Sequence, residues 1–216
     1  MDFEAARQQM IHQQVRAWDV LDPAVLDVLG LVPREQFVPS AFHDLAFADT
    51  SIPLPAGQSM LAPKIHGRIL QALEVRPGEA VLEVGSGSGY LTACLAALGA
   101  QVRSLEIHPE LVALATGNLR AAGFPGVSVL EADATAWPAA QRFDVVVLTA
   151  SLPEYDRRYE EWLNVGGRLF VTIGTGEPMT AALVTRDGER DFGRVDLFET
   201  VIEPLANARR PSAFVF

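Results

Sequence analysis

Apolar runs and helical apolar stripes alternate along the middle of the chain, and this alternation predicts a protein of mixed strands and helices. The run at residues 143–148 is almost entirely apolar, as expected for a strand in a parallel sheet that is covered on both faces. Strands are predicted at residues 80–84, 102–107, 127–130, 143–148 and 168–173. Helical spacing predicts helices at residues 63–73, 91–98, from 109 onward and at 154–163. The alternation indicates a doubly wound α/β sheet.

The first part of the chain departs from this alternation. Ile11, Val15 and Trp18 fall on one face at helical spacing, and an Asp-Pro pair at residues 22–23 is typical of the start of a second helix. Four prolines between residues 32 and 57 predict an irregular segment. We therefore expect an N-terminal helical and loop extension over residues 1–62.

The last part of the chain also differs. Two strand-like stretches flank an Asp-Gly pair at residues 187–188, which predicts an antiparallel hairpin. The expected fold is a mostly parallel seven-stranded sheet with an antiparallel C-terminal hairpin. Residues 63–216 would form this Rossmann-like domain, in one compact unit with the extension.

Composition excludes several classes of protein. With 49% apolar and 20% charged residues, the 216-residue chain has the composition of a folded globular protein. A formal charge of −10 argues against a nucleic-acid partner. Cys94 is the single cysteine, and no apolar run approaches the roughly 20 residues of a membrane helix. We expect a cytoplasmic protein without a membrane partner. We also expect no metal site, because the four histidines lack the spacing of metal ligands. The sequence indicates no oligomeric state.

A glycine-rich turn follows the strand at residues 80–84. Its glycines are Gly85, Gly87 and Gly89, and Tyr90 stands where a dinucleotide-binding motif has its third glycine. Glu83 precedes the turn, and its carboxylate would repel a pyrophosphate but suits a cation. S-adenosylmethionine carries a sulfonium and an ammonium and no phosphate. The turn therefore favours S-adenosylmethionine as the cofactor over NAD.

Acidic residues follow the next two predicted strands. We expect Glu106 to accept both ribose hydroxyls and Asp133 to accept from the adenine amino group, because strand ends share one crevice. The alternatives are a solvated strand end for Glu106 and a capping residue for Asp133. The predicted cofactor-binding residues are Glu83, Gly85, Ser86, Gly87, Ser88, Gly89, Tyr90, Glu106, Ile107, Asp133, Ala134 and Thr149.

Several segments resemble the protein-L-isoaspartate O-methyltransferase family. The stretch VPREQFVP at residues 32–39 is similar to the VPRE-x-FVP segment of that family. Residues 54–58 with Pro63 are similar to its LPIG-x-GQ-x-x-x-x-P loop, and residues 81–90 to its VLEIGTGSGY. Further likeness lies at residues 146–150 with Pro153 and at Pro204-Leu205. The resemblance implies methyl transfer from S-adenosylmethionine to the α-carboxylate of an L-isoaspartyl residue in a damaged protein, as the start of its repair.

The chain departs from the family in the acceptor loop. The family reads GQTISQP, with an active-site serine, whereas this chain has Leu61 at the serine position and Ala62 at the following glutamine. The candidates for the acceptor site are Ser59, Gln58 and Asp49, although Asp49 could equally be a turn residue. A small-molecule or other protein acceptor, and a non-catalytic cofactor-binding homologue, stay open as alternatives. Lone histidines and Cys94 are interpreted as core or surface residues.

Overall fold

The structure is a computed structural model that describes residues 2–138 and 140–210. Its α-helices are α1 (Phe3–Met10), α2 (Pro23–Leu31), α3 (Pro63–Leu73), α4 (Tyr90–Ala97) and α5 (Pro109–Ala121). Its strands are β1 (Ile52–Pro53), β2 (Ser59–Met60), β3 (Ala80–Val84), β4 (Gln101–Glu106), β5 (Ser128–Glu131), β6 (Phe143–Leu152), β7 (Leu163–Ile173), β8 (Met179–Arg186) and β9 (Phe192–Thr200).

Seven strands form the central sheet, in the order β5-β4-β3-β6-β7-β8-β9. The pairings from β5 to β7 are parallel, whereas β8 pairs antiparallel with β7 and with β9. The predicted sheet and its C-terminal hairpin are therefore confirmed. Chain order reverses between β3 and β6, and in an α/β sheet the crevice at such a reversal is where ligands bind.

The N-terminal extension packs against the sheet domain. Its first helix continues through one π turn and one 3₁₀ turn to Trp18, and the proline-rich segment contains 3₁₀ turns and the small β1–β2 hairpin. Met10 and Leu29 belong to the same hydrophobic cluster as Val81 and Cys94. The extension thus buries apolar surface against the domain that follows it, while the division at residue 62 stays a prediction.

The predicted helix at residues 154–163 is wrong. The structure has a six-residue 3₁₀ helix at Arg157–Trp162, and β7 begins at Leu163. Here β6 extends to Leu152, so few residues remain before β7. The carboxylate of Asp156 accepts from the Arg158 backbone N–H at 3.0 Å, which starts a tight turn in place of a long helix.

The helices in the described part of the chain are all too short or too polar to cross a membrane.

Candidate active site

The turn after β3 requires glycine. Gly85, Gly87 and Gly89 have φ values of +91°, +52° and +86°, a region that other residues rarely adopt. A Cβ on Gly85 would also overlap Thr149 Oγ1. That hydroxyl donates to the Val84 and Gly85 carbonyls at 3.0 and 2.7 Å. The end of β6 therefore packs closely against the turn and leaves no room for a side chain at Gly85.

One cavity gathers most of the predicted site residues. It lies at the carboxyl ends of the strands, between the turn after β3 and the loop that precedes α3. Residues predicted from the sequence that line it are Gln58, Ser59, Glu83, Gly85, Ser86, Gly87, Ser88, Tyr90, Glu106, Ile107, Asp133, Ala134 and Thr149.

Two predicted residues are not part of that lining. Gly89 instead caps α4, and its N–H donates to the Ser86 carbonyl at 2.8 Å. Asp49 lies in the turn after the 3₁₀ segment, with Oδ2 at 2.9 Å from Lys64 Nζ. This ion pair occupies the carboxylate that was predicted for the acceptor wall.

Glu83 is fully buried beneath the turn. Its Oε2 accepts from the Thr92 hydroxyl at 2.5 Å and from the Ser104 hydroxyl at 2.6 Å. Its Oε1 has no hydrogen-bond partner among the described residues. Burial raises the pKa of Glu83 to about 7, the two hydroxyls oppose this, and the nearby Glu106 raises it further. A buried carboxylate of this kind favours a cationic ligand.

Glu106 closes the other side of the turn. Its two oxygens accept from the backbone N–H groups of Gly87 and His108, each at 3.1 Å. Each carboxylate oxygen has two lone-pair directions, so further donors can still be accepted. The carboxylate thus orients the turn and keeps capacity for hydroxyl groups in the cavity.

Asp133 also makes local bonds. Oδ1 accepts from the Thr135 N–H at 2.8 Å and hydroxyl at 2.7 Å, and Oδ2 accepts from Asn207 Nδ2 at 2.9 Å. Burial raises the pKa of Asp133, but these hydrogen bonds outweigh it and hold the pKa below its ordinary value. The capping alternative considered for Asp133 therefore describes part of its environment, while its position also lines the cavity.

The last part of the chain contributes a wall that the sequence pattern did not indicate. Residues 203–206 line the cavity. Ser151, at the end of β6, donates its N–H to the Glu203 carbonyl and accepts from the Leu205 N–H, both at 2.8 Å. The Pro-Leu pair at residues 204–205 was the available signal.

Arg34 lies beneath the acceptor loop and was missed by the sequence analysis. Its side chain is completely buried, although no carboxylate pairs with it in the described part of the chain. Nε donates to the Ala46 carbonyl and Nη2 to the Leu61 carbonyl, both at 2.8 Å. Nη1 lies 3.2 Å from His66 Nδ1, and the guanidinium stands 4.9 Å from the centre of the Tyr90 ring. An arginine within the VPRE segment was the available signal.

Cys94 behaves as a packing residue. Cys94 is buried in the core, and burial raises the pKa of its thiol to about 12. In the part of the chain that the structure describes, no three His, Cys, Asp or Glu side chains come together as a metal site.

Comparison with known proteins identifies relatives along nearly the whole chain. The family described as Protein-L-isoaspartate(D-aspartate) O-methyltransferase (PCMT) matches residues 5–208. The protein-L-isoaspartate O-methyltransferase of Koribacter versatilis (strain Ellin345) is 37% identical over 204 residues, which cover 94% of this chain and 91% of the relative. The enzyme of that name from Methylorubrum populi (strain ATCC BAA-705 / NCIMB 13946 / BJ001) is 39% identical over 198 residues, covering 89% and 93%.

A solved structure shares the fold. It is that of a protein from Plasmodium falciparum described as a putative protein-L-isoaspartate O-methyltransferase, in complex with S-adenosyl-L-homocysteine. It superposes on this chain with a TM-score of 0.82 at 19% identity. The superposition covers 95% of this chain and 98% of the chain from Plasmodium falciparum. From its sequence match over residues 5–208 and its relatives, the chain belongs to the protein-L-isoaspartate(D-aspartate) O-methyltransferase family.

Proposed function

We propose that this protein transfers a methyl group from S-adenosylmethionine to the α-carboxylate of L-isoaspartyl residues in proteins or peptides. Membership of the family and the names of the relatives support this function. The observation that carries it is the buried Glu83 carboxylate, with one oxygen unpartnered among the described residues, beside a turn whose three glycines all have positive φ. Such a site disfavours a phosphate and suits a cationic nucleoside.

Different residues of the cavity would contact different groups of such a cofactor. The backbone of Gly85 and Gly87 would lie against it, and Glu83 would face its positive charge. Glu106 would accept from the ribose hydroxyls, with Ile107 beside it. Among the other lining residues, Ser86, whose buried hydroxyl lacks a partner among the described residues, is a further donor or acceptor for the ligand. The remaining contacts would come from Ser88, Tyr90, Asp133, Ala134 and Thr149, whereas Gly89 would act indirectly by shaping the turn.

The chemistry asks for positioning more than for a base. A carboxylate acceptor is already ionised at neutral pH, since its ordinary pKa is near 4. The bound cofactor supplies an electrophilic methyl group on its sulfonium. The protein holds the acceptor oxygen in line and excludes water, and such positioning contributes up to roughly 7–11 kcal/mol in favourable systems.

The acceptor side of the cavity consists of the loop before α3. Gln58 and Ser59 line the cavity there and would donate to the acceptor, while Met60 and Leu61 make this wall partly apolar. Asp49 would contribute only if its ion pair with Lys64 opened. The single cysteine is compatible with the cytoplasm as the compartment of this reaction.

Leu61 favours a second candidate function, in which the same scaffold methylates a different acceptor. Its side chain is 7% exposed and lines the cavity at the position where the family has a serine. A leucine cannot donate a hydrogen bond to a carboxylate, so a less polar small molecule or another protein group would fit this wall.

Methylation of matched peptides separates the candidates. The protein is incubated with labelled S-adenosylmethionine and an isoaspartyl peptide or its normal aspartyl counterpart, and base-labile label is expected only on the former. Retained cofactor binding without turnover of the isoaspartyl peptide would contradict the proposed function. Label in a cell lysate would then support the second candidate, and its absence would indicate a non-catalytic homologue.

A further inference from the structure

We infer that His66 supplies the hydrogen-bond donor for the acceptor carboxylate that Leu61 cannot supply. The atom that donates is Nε2, and the loop before α3 and the first turn of α3 present it to the cavity. This inference rests on the proposed function, because it names the residue that recognises the acceptor. From its sequence context alone, His66 was predicted to be an ordinary core or surface histidine.

Arg34 determines which nitrogen of His66 carries the proton. A guanidinium has five N–H donors and no acceptor, so a contact from Nη1 to His66 Nδ1 at 3.2 Å requires Nδ1 to accept. The Arg34 side chain is held in place by the Ala46 and Leu61 carbonyls. With Nδ1 engaged as an acceptor, the proton of a neutral imidazole lies on Nε2.

The surroundings keep the ring neutral. Burial lowers the pKa of His66 well below its ordinary value of 6.5, the positive charge of Arg34 lowers it further, and a hydrogen bond with the Ala62 backbone opposes both. The other groups against the ring are the edge of Tyr90, with ring centres 5.1 Å apart, and the Ala62 backbone. The imidazole is therefore a fixed neutral donor rather than a base that gains a proton.

The position of His66 allows it to replace the serine that the family has and this chain lacks. It lies one turn into α3, directly after the acceptor loop, and lines the same cavity as Ser59 and Leu61. The side-chain hydrogen bond that the structure shows for the ring is the one from Arg34 to Nδ1. Since Arg34 also bonds the Leu61 carbonyl, one buried side chain fixes both the histidine donor and the loop that carries the leucine.

Three substitutions test the role of His66. His66→Asn keeps an oxygen near the Nδ1 position for Arg34 but lacks a donor at the Nε2 position, whereas His66→Gln reaches that position with an amide N–H. We expect kcat/KM for the isoaspartyl peptide to fall about 10- to 100-fold in His66→Asn, the range for a lost hydrogen bond to a charged group. The loss should lie mainly in KM, and His66→Gln should recover most of it. The Kd for S-adenosyl-L-homocysteine should stay within about twofold.

Restoring the serine provides the complementary test. Leu61→Ser should rescue His66→Asn, because a hydroxyl then replaces the lost donor, and should change the wild type much less. The matched control is His12→Phe, since His12 is exposed and lies outside the cavity lining. A folded His66→Asn protein with unchanged kcat/KM, or the absence of rescue by Leu61→Ser, would overturn the inference.

A spectroscopic measurement needs no substitution. Nitrogen-15 shifts of the His66 ring should show a neutral imidazole with its proton on Nε2 at neutral pH. A proton on Nδ1, or an imidazolium, would overturn the inference even if a variant failed to fold. Failure of the proposed function looks different, because the wild type would then bind S-adenosyl-L-homocysteine and leave the isoaspartyl peptide unmethylated. That outcome would also remove the carboxylate as the partner of His66.

Discussion

At the scale of single residues, Glu83 shows how burial changes the chemistry of a predicted contact. The sequence places a carboxylate beside the glycine turn, but the structure removes it from water and leaves Oε1 without a partner among the described residues. Its pKa of about 7 lies above the ordinary 4.5 of an exposed glutamate. In the unliganded protein, the raised pKa of Glu83 therefore stabilises the fold below about pH 4.5, and this stabilisation is lost as the pH rises through about 7.

We predict that affinity for S-adenosylmethionine rises with pH between about 5.5 and 7.5. A cationic ligand favours ionised Glu83, so binding below pH 7 must release a proton, with a gain of up to about tenfold per pH unit. Calorimetric titration in buffers of different ionisation enthalpy measures both the affinity and the number of protons released on binding. Glu83→Gln should bind more weakly at pH 7.5 and lose the pH dependence, whereas Glu110→Gln, at an exposed position on α5, should keep it. An unchanged slope in Glu83→Gln would assign the proton to another group.

Glycine positions in the same protein allow a matched comparison. Gly85→Ala should destabilise the fold by about 1–3 kcal/mol, because its φ is +91° and a Cβ would meet Thr149. Gly117→Ala should stabilise it by about 0.5–1 kcal/mol, because Gly117 lies within α5 and nothing stands within 4 Å of its Cβ position. Urea unfolding measures both, and a stable Gly85→Ala that still binds S-adenosyl-L-homocysteine would refute the close approach at the turn.

At the scale of elements, Arg168 on β7 joins the sheet to the end of α3. It donates to the carbonyls of Leu73 and Glu74, where the helix ends, and to both carboxylate oxygens of Glu79 at 2.9 and 2.7 Å. Burial raises the pKa of Glu79, but the hydrogen bonds from Arg168 and the Arg76 backbone outweigh it and lower the pKa. The side chain thus satisfies helix-end carbonyls that have no partner within the helix.

We predict that Arg168→Ala lowers the free energy of unfolding by about 2–3 kcal/mol, because several charge-assisted hydrogen bonds are lost together. Arg103→Ala is the control, since Arg103 donates to Gln141 alone among the residues that the structure describes, and it should cost less than about 0.5 kcal/mol. Unfolding at several pH values gives a second check. Because the pKa of Glu79 is lowered, the difference between Arg168→Ala and the wild type should persist at neutral pH and shrink as the pH falls through the acidic range. Equal losses in both variants would show that the helix end does not depend on this side chain.

At the scale of the whole molecule, the cavity joins segments that are far apart in the chain. The acceptor loop comes from the N-terminal extension, the glycine turn from the first strand of the large sheet, and residues 203–206 from the end of the described chain. A ligand that contacts all three should therefore stabilise the protein as a unit.

We predict that S-adenosyl-L-homocysteine at 100 times its Kd stabilises the fold by about 2.7 kcal/mol, which corresponds to a rise in Tm of roughly 5–11 °C for a chain of this size. Thermal unfolding monitored by fluorescence and by circular dichroism measures the shift. NAD at the same concentration serves as the control and should produce no shift. A comparable rise with NAD would contradict the electrostatic interpretation of the cavity.

Local sequence determined much of the sheet and its turn. Apolar runs of strand length, glycines at two-residue spacing and acids at strand ends act through neighbours in the chain, so residues 80–90 could be interpreted without tertiary information. The same local reasoning predicted a helix at residues 154–163, and it failed there because the length of β6 and the burial of Trp162 depend on distant partners.

Tertiary structure decided what surrounds the acceptor. The bonds from Arg34 to Ala46, Leu61 and His66 join residues 12 to 32 positions apart, and no periodicity encodes such contacts. Packing likewise paired Asp49 with Lys64 outside the cavity lining and brought residues 203–206 into it. The sequence by itself determined the fold class, the glycine turn and the family. Only the folded chain decided which nitrogen of His66 carries a proton and how far the pKa of Glu83 is raised. Both depend on burial and on partners from other elements.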